Sequence, residues 1–179
     1  TRSNSGVKTA GTYAKVLVPT GLTSGNYTIA YVPGNFQIVA ADTLVVNVAP
    51  TSATYGATPV YAISNASYLD SGTNLIATIS NVNITGSAVT LDDGIGTTAS
   101  FTLVPLSPTY STSSRLAVGT YQIGSTGLNI SGANFSNLTL AGTLQVTAKG
   151  LTPSATGVSK TYNGNTAVSG ATLNVAGVL

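Results

Sequence analysis

The strongest constraint on the fold of this chain is that part of its sequence occurs twice. The segment NYTIAYVPGNFQIVAA at residues 26–41 is similar to NFSNLTLAGTLQVTAK at residues 134–149, so that Asn26 corresponds to Asn134 and Gly34 to Gly142. The tripeptide GTY at residues 11–13 returns at residues 119–121 with the same offset. We call this constant offset the repeat shift. A fixed spacing between copies is typical of an array of similar modules.

The repeat predicts how the chain is divided. Tyr55 of TYGATPV matches Tyr162 of TYNGNTAV at an offset one position shorter than the repeat shift, which extends the match along the chain. We expect residues 1–43 to form the C-terminal part of a first module and residues 44–151 to form a complete module. Residues 152–179 are then the N-terminal part of a following module. The chain is therefore expected to be a segment of a longer array.

Within each module the sequence has the two-residue periodicity of β-strands. β-Branched and aromatic residues alternate with small or polar ones, for example in LVVNVA at residues 44–49 and in YTIAYV at residues 27–32. No stretch has convincing helical spacing. The pattern predicts an all-β protein of tandem small antiparallel modules. Each module is either an immunoglobulin-like sandwich or a β-grasp-like sheet, because periodicity does not reveal strand order.

Turn signals separate the expected strands. Residues 26–41 read as two strands around a Pro33–Gly34 turn, and Gly34 and Gly142 are expected to supply the positive φ of such a turn. Further turns are expected at Asp70-Ser71-Gly72, Asp92-Asp93-Gly94, Ser131-Gly132 and Asn163-Gly164.

Composition excludes several classes of function. The sequence contains no Cys, His, Met, Trp or Glu, so disulfides, thiolate chemistry and imidazole catalysis are absent and no ready general base exists near neutral pH. We therefore expect no enzyme activity and no cofactor. The six basic residues are spread along the chain, which argues against nucleic-acid binding. No apolar run approaches the eighteen or so residues of a membrane span, so membrane insertion is not expected.

The adjacent carboxylates of LDDGIGTTA at residues 91–99 are the candidate metal ligands. Asp92 and Asp93 are weak candidates for a calcium site, because hard cations take six to eight oxygen ligands and the only other acids are Asp42 and Asp70. The stretch also fits the Gly-x-Gly-x-x-Ala dinucleotide fingerprint, but it continues as a strand pattern instead of opening a helix. A hairpin turn is the preferred interpretation.

Aromatic residues recur at matching places of the repeat. Such rings most simply anchor the core of a small module, and the expected anchors are Tyr27, Tyr55, Phe135 and Tyr162. An alternative is that these recurring rings stack on sugars. The candidate contacts of a module that binds glycan or a host protein are Tyr13, Tyr61, Tyr68, Tyr110 and Tyr121, where they prove exposed.

The chain also contains six Asn-x-Ser/Thr sequences, which are possible glycosylation sites. They begin at Asn26, Asn65, Asn83, Asn129, Asn134 and Asn137. A chain so rich in Asn, Ser and Thr also produces such sequences by chance.

Several of these motifs, taken in order, resemble a known family. TYGATP at residues 54–59, GTYQI at residues 119–123 and NFSNLTLAGTLQVT at residues 134–147 resemble the MBG module, which occurs in tandem in large secreted bacterial adhesins of the filamentous-haemagglutinin-like kind. SKTYNGNTAVSG at residues 159–170 is similar to the related YDG module, although Asn163 replaces the Asp of that signature. The resemblance implies an extracellular, elongated all-β stalk on the bacterial cell surface, with no catalytic residues to transfer.

Three functions follow from these observations. The leading hypothesis is a stalk or spacer that projects a binding tip for adhesion or biofilm attachment, with neighbouring modules of the same protein as its partners. The second is a module that itself binds glycan or a host protein, so that polysaccharide or a host surface is the partner. The third is a strand-exchanging subunit of an extracellular filament, in which residues 1–43 of one chain complete the sheet begun by residues 152–179 of another. This would be self-association into fibres.

Overall fold

The computed structural model describes residues 1–70, 74–167 and 169–179, and within these the protein is all-β without a helix. The turn expected at Asp70-Ser71-Gly72 therefore falls largely outside the described residues. The strands are β1 (Gly11–Leu17), β2 (Gly34–Ile38), β3 (Thr43–Val48), β4 (Thr51–Thr54), β5 (Ile63–Asp70), β6 (Asn74–Thr78), β7 (Asn81–Thr85), β8 (Ala88–Asp92), β9 (Thr98–Pro105), β10 (Gly119–Ser131), β11 (Leu138–Ala141), β12 (Thr143–Thr147), β13 (Thr152–Ala155) and β14 (Leu173–Ala176).

The strands from β3 to β12 form two sheets. One sheet has six strands in the order β4-β12-β10-β9-β8-β7, and the other has four in the order β11-β3-β5-β6. Inward-facing residues of both sheets belong to a single hydrophobic cluster, in which Leu44 of β3 and Leu144 of β12 are fully buried. The alternation of buried and exposed residues along β3, β8 and β9 is what the two-residue sequence pattern predicts for strands with one face on a core.

We call the part of the chain from β3 to β12 the central unit. Most of its strand pairs are antiparallel, but each of its first two strands pairs in parallel with one of its last two strands. β3 lies parallel to β11 in the four-stranded sheet, and β4 lies parallel to β12 in the six-stranded sheet. The chain therefore changes sheet twice at the same place, after Val48 and at Gly142. A Cβ atom on Gly142 would lie 2.7 Å from the Cβ of Val48, so only glycine fits this crossing.

The N-terminal pair β1 and β2 repeats part of the central unit. Gly11 pairs with Ile38 and Thr12 with Gln37, while Gly119 of β10 pairs with Val146 and Thr120 with Gln145 of β12. The repeat shift carries each pair of the first set onto a pair of the second set. The sequence repeat is therefore matched by a repeat of strand register.

Both GTY copies also form the same tyrosine corner, a tyrosine near a strand start whose hydroxyl bonds back to the preceding chain. The Tyr13 hydroxyl donates to the carbonyl oxygen of Thr9 at 2.6 Å, and the Tyr121 hydroxyl donates to the carbonyl oxygen of Ala117 at 2.8 Å. In both copies the glycine that opens the tripeptide lies under the phenol ring, as at Gly119, where a Cβ would lie 3.6 Å from the Tyr121 hydroxyl oxygen.

The C-terminal strands β13 and β14 form a separate antiparallel pair, from Thr152 opposite Ala176 to Ala155 opposite Leu173. Described residues of these two strands are exposed throughout. The repeat shift relates β13 to β3 and β14 to β5, so this pair corresponds in sequence to β3 and β5 of the central unit.

Three local predictions are wrong. Residues 27–32 form no strand. The matching strand β11 forms by pairing with β3, and residues 1–42 contain no described equivalent of β3. Consequently Pro33–Gly34 does not connect a hairpin, since β1 and β2 are joined by the whole of residues 18–33. Neither Gly34 nor Gly142 has a positive φ. Glycine at position 142 is required by close approach of the chains instead.

The predicted core anchors fall into two groups. Phe135 is 3% exposed, and Tyr55 is half-buried against the same cluster. Tyr27 is 80% exposed and Tyr162 is 92% exposed, so their assignment as core anchors is wrong. A core requires two packed layers, and the terminal pairs supply only one hairpin-sized layer each.

Candidate functional site

The loop between β8 and β9 is organised by its two aspartates. The Asp92 side chain accepts a hydrogen bond from the N–H of Gly94 at 2.8 Å. Asp93 Oδ1 accepts from the N–H groups of Ile95 at 2.8 Å and Thr97 at 2.9 Å. Positive φ values at Gly94 and Gly96 let the chain close around the carboxylate. The stretch is thus a turn between two paired strands, as its hairpin interpretation predicts.

Asp93 also connects the two sheets. Its Oδ2 atom accepts hydrogen bonds from the hydroxyl of Tyr68 on β5 and, at 2.6 Å, from the amide nitrogen of Asn134, which follows β10. Four donors from three separate parts of the chain therefore meet at one carboxylate. We call Tyr68, Asp93, Thr97 and Asn134 the carboxylate cluster.

The carboxylate cluster shifts two pKa values. Burial disfavours the ionised form of Asp93, but the hydrogen bonds from Tyr68, Asn134, Thr97 and Ile95 outweigh it and hold the pKa of Asp93 below its usual value. Burial, together with the hydrogen bond and the negative charge of Asp93, raises the pKa of Tyr68 above its usual value. The cluster therefore favours an ionised Asp93 carboxylate beside a neutral Tyr68 phenol.

Asn134 is the most fully used polar residue of the cluster. Its side-chain nitrogen donates to Asp93, and its side-chain oxygen accepts from the N–H of Ala10 at 2.7 Å. Its own N–H donates to Thr97 Oγ1 at 3.0 Å, and its carbonyl oxygen accepts from the N–H of Ala41 at 2.8 Å. Ala41 forms a parallel bridge with Phe135 and packs against the core of the central unit, whereas Ala10 belongs to the N-terminal part of the chain. The bond to Ala10 therefore joins the central unit to the N-terminal part.

The cluster is not suited to bind a metal ion. A carboxylate offers about four lone-pair positions, and the four donors to Asp93 occupy them. Among the described residues no group of three or more His, Cys, Asp or Glu side chains is placed to hold a metal. The candidate ligands Asp92 and Asp93 are therefore turn-forming and network-forming residues, respectively.

The five tyrosines considered as contacts for glycan or a host protein are not gathered into one exposed surface. Tyr61, Tyr68 and Tyr121 are each 7% exposed, Tyr13 is half-buried, and Tyr110 alone of the five is exposed. The Tyr55 hydroxyl contacts the Oγ atoms of Ser111 at 2.6 Å and Ser113 at 2.8 Å. These hydrogen bonds lower the pKa of Tyr55.

The possible glycosylation sites divide by exposure. Asn134 is 7% exposed and both ends of its amide are hydrogen-bonded, so it is inaccessible in the folded chain. The other five are exposed, namely Asn26, Asn65, Asn83, Asn129 and Asn137.

The outward face of the six-stranded sheet carries a shallow polar depression. It is lined by side chains from β7, β8, β9 and β10, including Asn81, Asn83, Thr90, Asp92, Ser100 and Asn129. Cross-strand pairing aligns Asn83, Thr90, Ser100 and Asn129 in one row. Within the described part of the chain, no aromatic ring lines this depression.

No protein-family model matches this chain, and no curated protein or solved structure matches it either. No helix in the described part of the chain has the length and apolar character needed to cross a membrane.

Local sequence patterns do not reveal the carboxylate cluster. They mark Asn134 only as a possible glycosylation site and as the repeat match of Asn26. Its role depends on contacts with residues up to 124 positions away, which such patterns do not show. The one signal in the sequence is the Asp-Asp-Gly turn. The turn motif accounts for one aspartate and gives no reason for the second.

Proposed function

We propose that this chain is a spacer segment of the stalk of a bacterial cell-surface adhesin, built from all-β modules in series. The observation that carries the proposal is the repeat shift, which relates β1–β2 to β10–β12 in sequence, in strand register and in the tyrosine corner. A repeated structural unit suits a protein whose task is to provide length.

For the module itself we propose an immunoglobulin-like sandwich. Two sheets that share one core and a tyrosine at a strand start are features of that architecture. The division at residues 43 and 151 and the resemblance to MBG and YDG modules remain part of this proposal. The surface location of the parent protein follows from the same resemblance.

Single-molecule force extension tests the spacer function. The chain is held by its two ends and pulled, and the central unit, from β3 to β12, should unfold in one step. With roughly 105 residues that each span about 3.4 Å when extended, the unit should release on the order of 30 nm of chain. Gradual lengthening without a discrete step would contradict a module that resists load.

A second candidate function, glycan binding, is favoured by the polar depression on the six-stranded sheet. Amide and hydroxyl groups in a row can exchange hydrogen bonds with sugar hydroxyls, although an aromatic platform is missing from the described lining. A glycan array probed with the whole chain and with an Asn83→Ala, Thr90→Ala double variant tests this candidate. Binding that the double variant loses would support it over the pure spacer.

A further inference from the structure

We infer that the loop before each tyrosine corner is a module-to-module connector, and that the Asn134 side chain is its receptor on the following module. The partner recognised by such a connector is another module of the same repeat type. This inference rests on the proposed spacer function and deepens it, because a stalk keeps its direction only when successive modules are held at a fixed angle.

The connector is a rigid element of the preceding unit. Thr9 and Ala10 stand directly before β1, and the Tyr13 hydroxyl contacts both the carbonyl oxygen of Thr9, at 2.6 Å, and its Oγ1, at 2.9 Å. The tyrosine corner thereby fixes the backbone that presents the N–H of Ala10. A donor held in this way loses little conformational freedom when it binds.

The receptor is built into the core of the following unit. Asn134 is 7% exposed, and its side-chain nitrogen is tied to Asp93, so the amide is oriented with its oxygen towards Ala10 at 2.7 Å. The methyl group of Thr9 packs beside Gly96, where a Cβ would lie 3.0 Å away. Glycine at position 96 therefore leaves the space into which the connector fits.

The same loop reappears at the next junction. The repeat shift takes Thr9 and Ala10 to Ala117 and Val118, and the Tyr121 hydroxyl holds the carbonyl oxygen of Ala117 at 2.8 Å. Val118 borders a surface depression that is also lined by residues 177–179 of the C-terminal part. The loop before the tyrosine corner thus faces the following part of the chain in both copies.

Recognition of a backbone N–H explains why the connector tolerates a change of side chain. Residue 10 is alanine and its counterpart is Val118, yet each has the same N–H group to offer to a neighbour. What the receptor requires is the position of the donor, which the tyrosine corner fixes. Asn26, the repeat match of Asn134, is the position at which this residue type returns in the preceding unit.

Distance measurements between paired spin labels test the inference in the full chain. The sequence has no native cysteine, so labels can be placed at Thr12→Cys and Thr90→Cys, both of which are exposed. The parent chain should give one narrow distance distribution. Ala10→Pro, which removes the donor N–H, should broaden it at least twofold, and Asn134→Ala should do the same. Asn65→Ala, at an exposed asparagine of β5, is the matched control and should leave it unchanged.

Urea unfolding of the central unit separates loss of the junction from loss of the core. Ala10→Pro should leave the unfolding midpoint of the central unit unchanged, whereas Asn134→Ala should lower it through the lost bond to Asp93. If Ala10→Pro keeps the narrow distribution, the connector assignment is overturned, even if Asn134→Ala fails to fold. A module that unfolds under load without a discrete step would instead count against the spacer function and leave this result untouched.

Discussion

The sharpest test of the core compares two aromatic residues that occupy the same repeat position. Phe135 and Tyr27 are related by the repeat shift, but Phe135 is 3% exposed and Tyr27 is 80% exposed. The Phe135 ring also packs against the Tyr68 ring at a centroid distance of 5.5 Å. Truncation of the two residues to alanine therefore removes similar groups from very different surroundings.

The expected costs differ by several kcal/mol. Phe135→Ala should lower the free energy of unfolding of the central unit by about 3–5 kcal/mol, the usual range for a buried phenylalanine that leaves a cavity. Tyr27→Ala should change it by less than about 0.5 kcal/mol, as for most surface substitutions. Since a domain of this size is stable by about 5–15 kcal/mol, the first change removes a large share of the total.

Equilibrium urea unfolding of the full chain, followed by circular dichroism and tyrosine fluorescence, measures both values. Phe135→Leu serves as the control that keeps most of the apolar volume, and it should cost less than about 1.5 kcal/mol. A cost below about 1 kcal/mol for Phe135→Ala would refute the assignment of Phe135 to a packed core. An equal cost for Tyr27→Ala would show that residues 18–33 are packed in a way that their exposure does not suggest.

Three further predictions concern pH, backbone approach and metal ions. Because the pKa of Asp93 is lowered in the folded chain, Asp93 stabilises the fold above about pH 4, and this contribution is lost as the pH falls further. Because the pKa of Tyr68 is raised, Tyr68 stabilises the fold below about pH 10, and this contribution is lost above that value. Thermal unfolding should therefore be nearly independent of pH between about 5 and 9, and a midpoint that drops near pH 6 would contradict this. Gly142→Ala should cost about 1–3 kcal/mol because a Cβ meets Val48, whereas Gly150→Ala, with no atom within 4 Å of its added Cβ, should be neutral within about 0.5 kcal/mol; equal costs in urea unfolding would argue against the tight crossing. Addition of calcium followed by its chelation should leave the melting temperature unchanged, since the Asp93 oxygens already accept four hydrogen bonds, and a rise with calcium concentration would reveal a site elsewhere.

The sequence pattern predicts a strand correctly where the folded chain supplies a neighbouring strand for it to pair with. Alternation locates β3, β8, β9 and β12 well, because each has one face on the core. The same alternation at residues 27–32 misleads, since its counterpart β11 exists only through pairing with β3. Periodicity records which face of a segment is apolar, but it does not record whether a neighbouring strand is available.

The candidate site is harder to predict because it depends on contacts between distant parts of the chain. Asp93 lies in a recognisable turn, but its bonds to Tyr68 and Asn134 connect residues 25 and 41 positions away. The repeat marks Gly142 as a special glycine, but the sequence suggests the wrong reason for it. Its neighbour Val48 belongs to a strand much earlier in the chain, and only the packed structure shows how closely the two backbones approach.

The two parallel strand pairs, β3 with β11 and β4 with β12, determine how the central unit responds to tension applied at its ends. The chain enters the unit at the start of β3, which lies beside the start of β11, and leaves it at the end of β12, which lies beside the end of β4. A pull on the two ends therefore slides these strands past each other lengthwise. Their cross-strand hydrogen bonds must then break together instead of peeling apart one after another, so the unit yields abruptly and at high force.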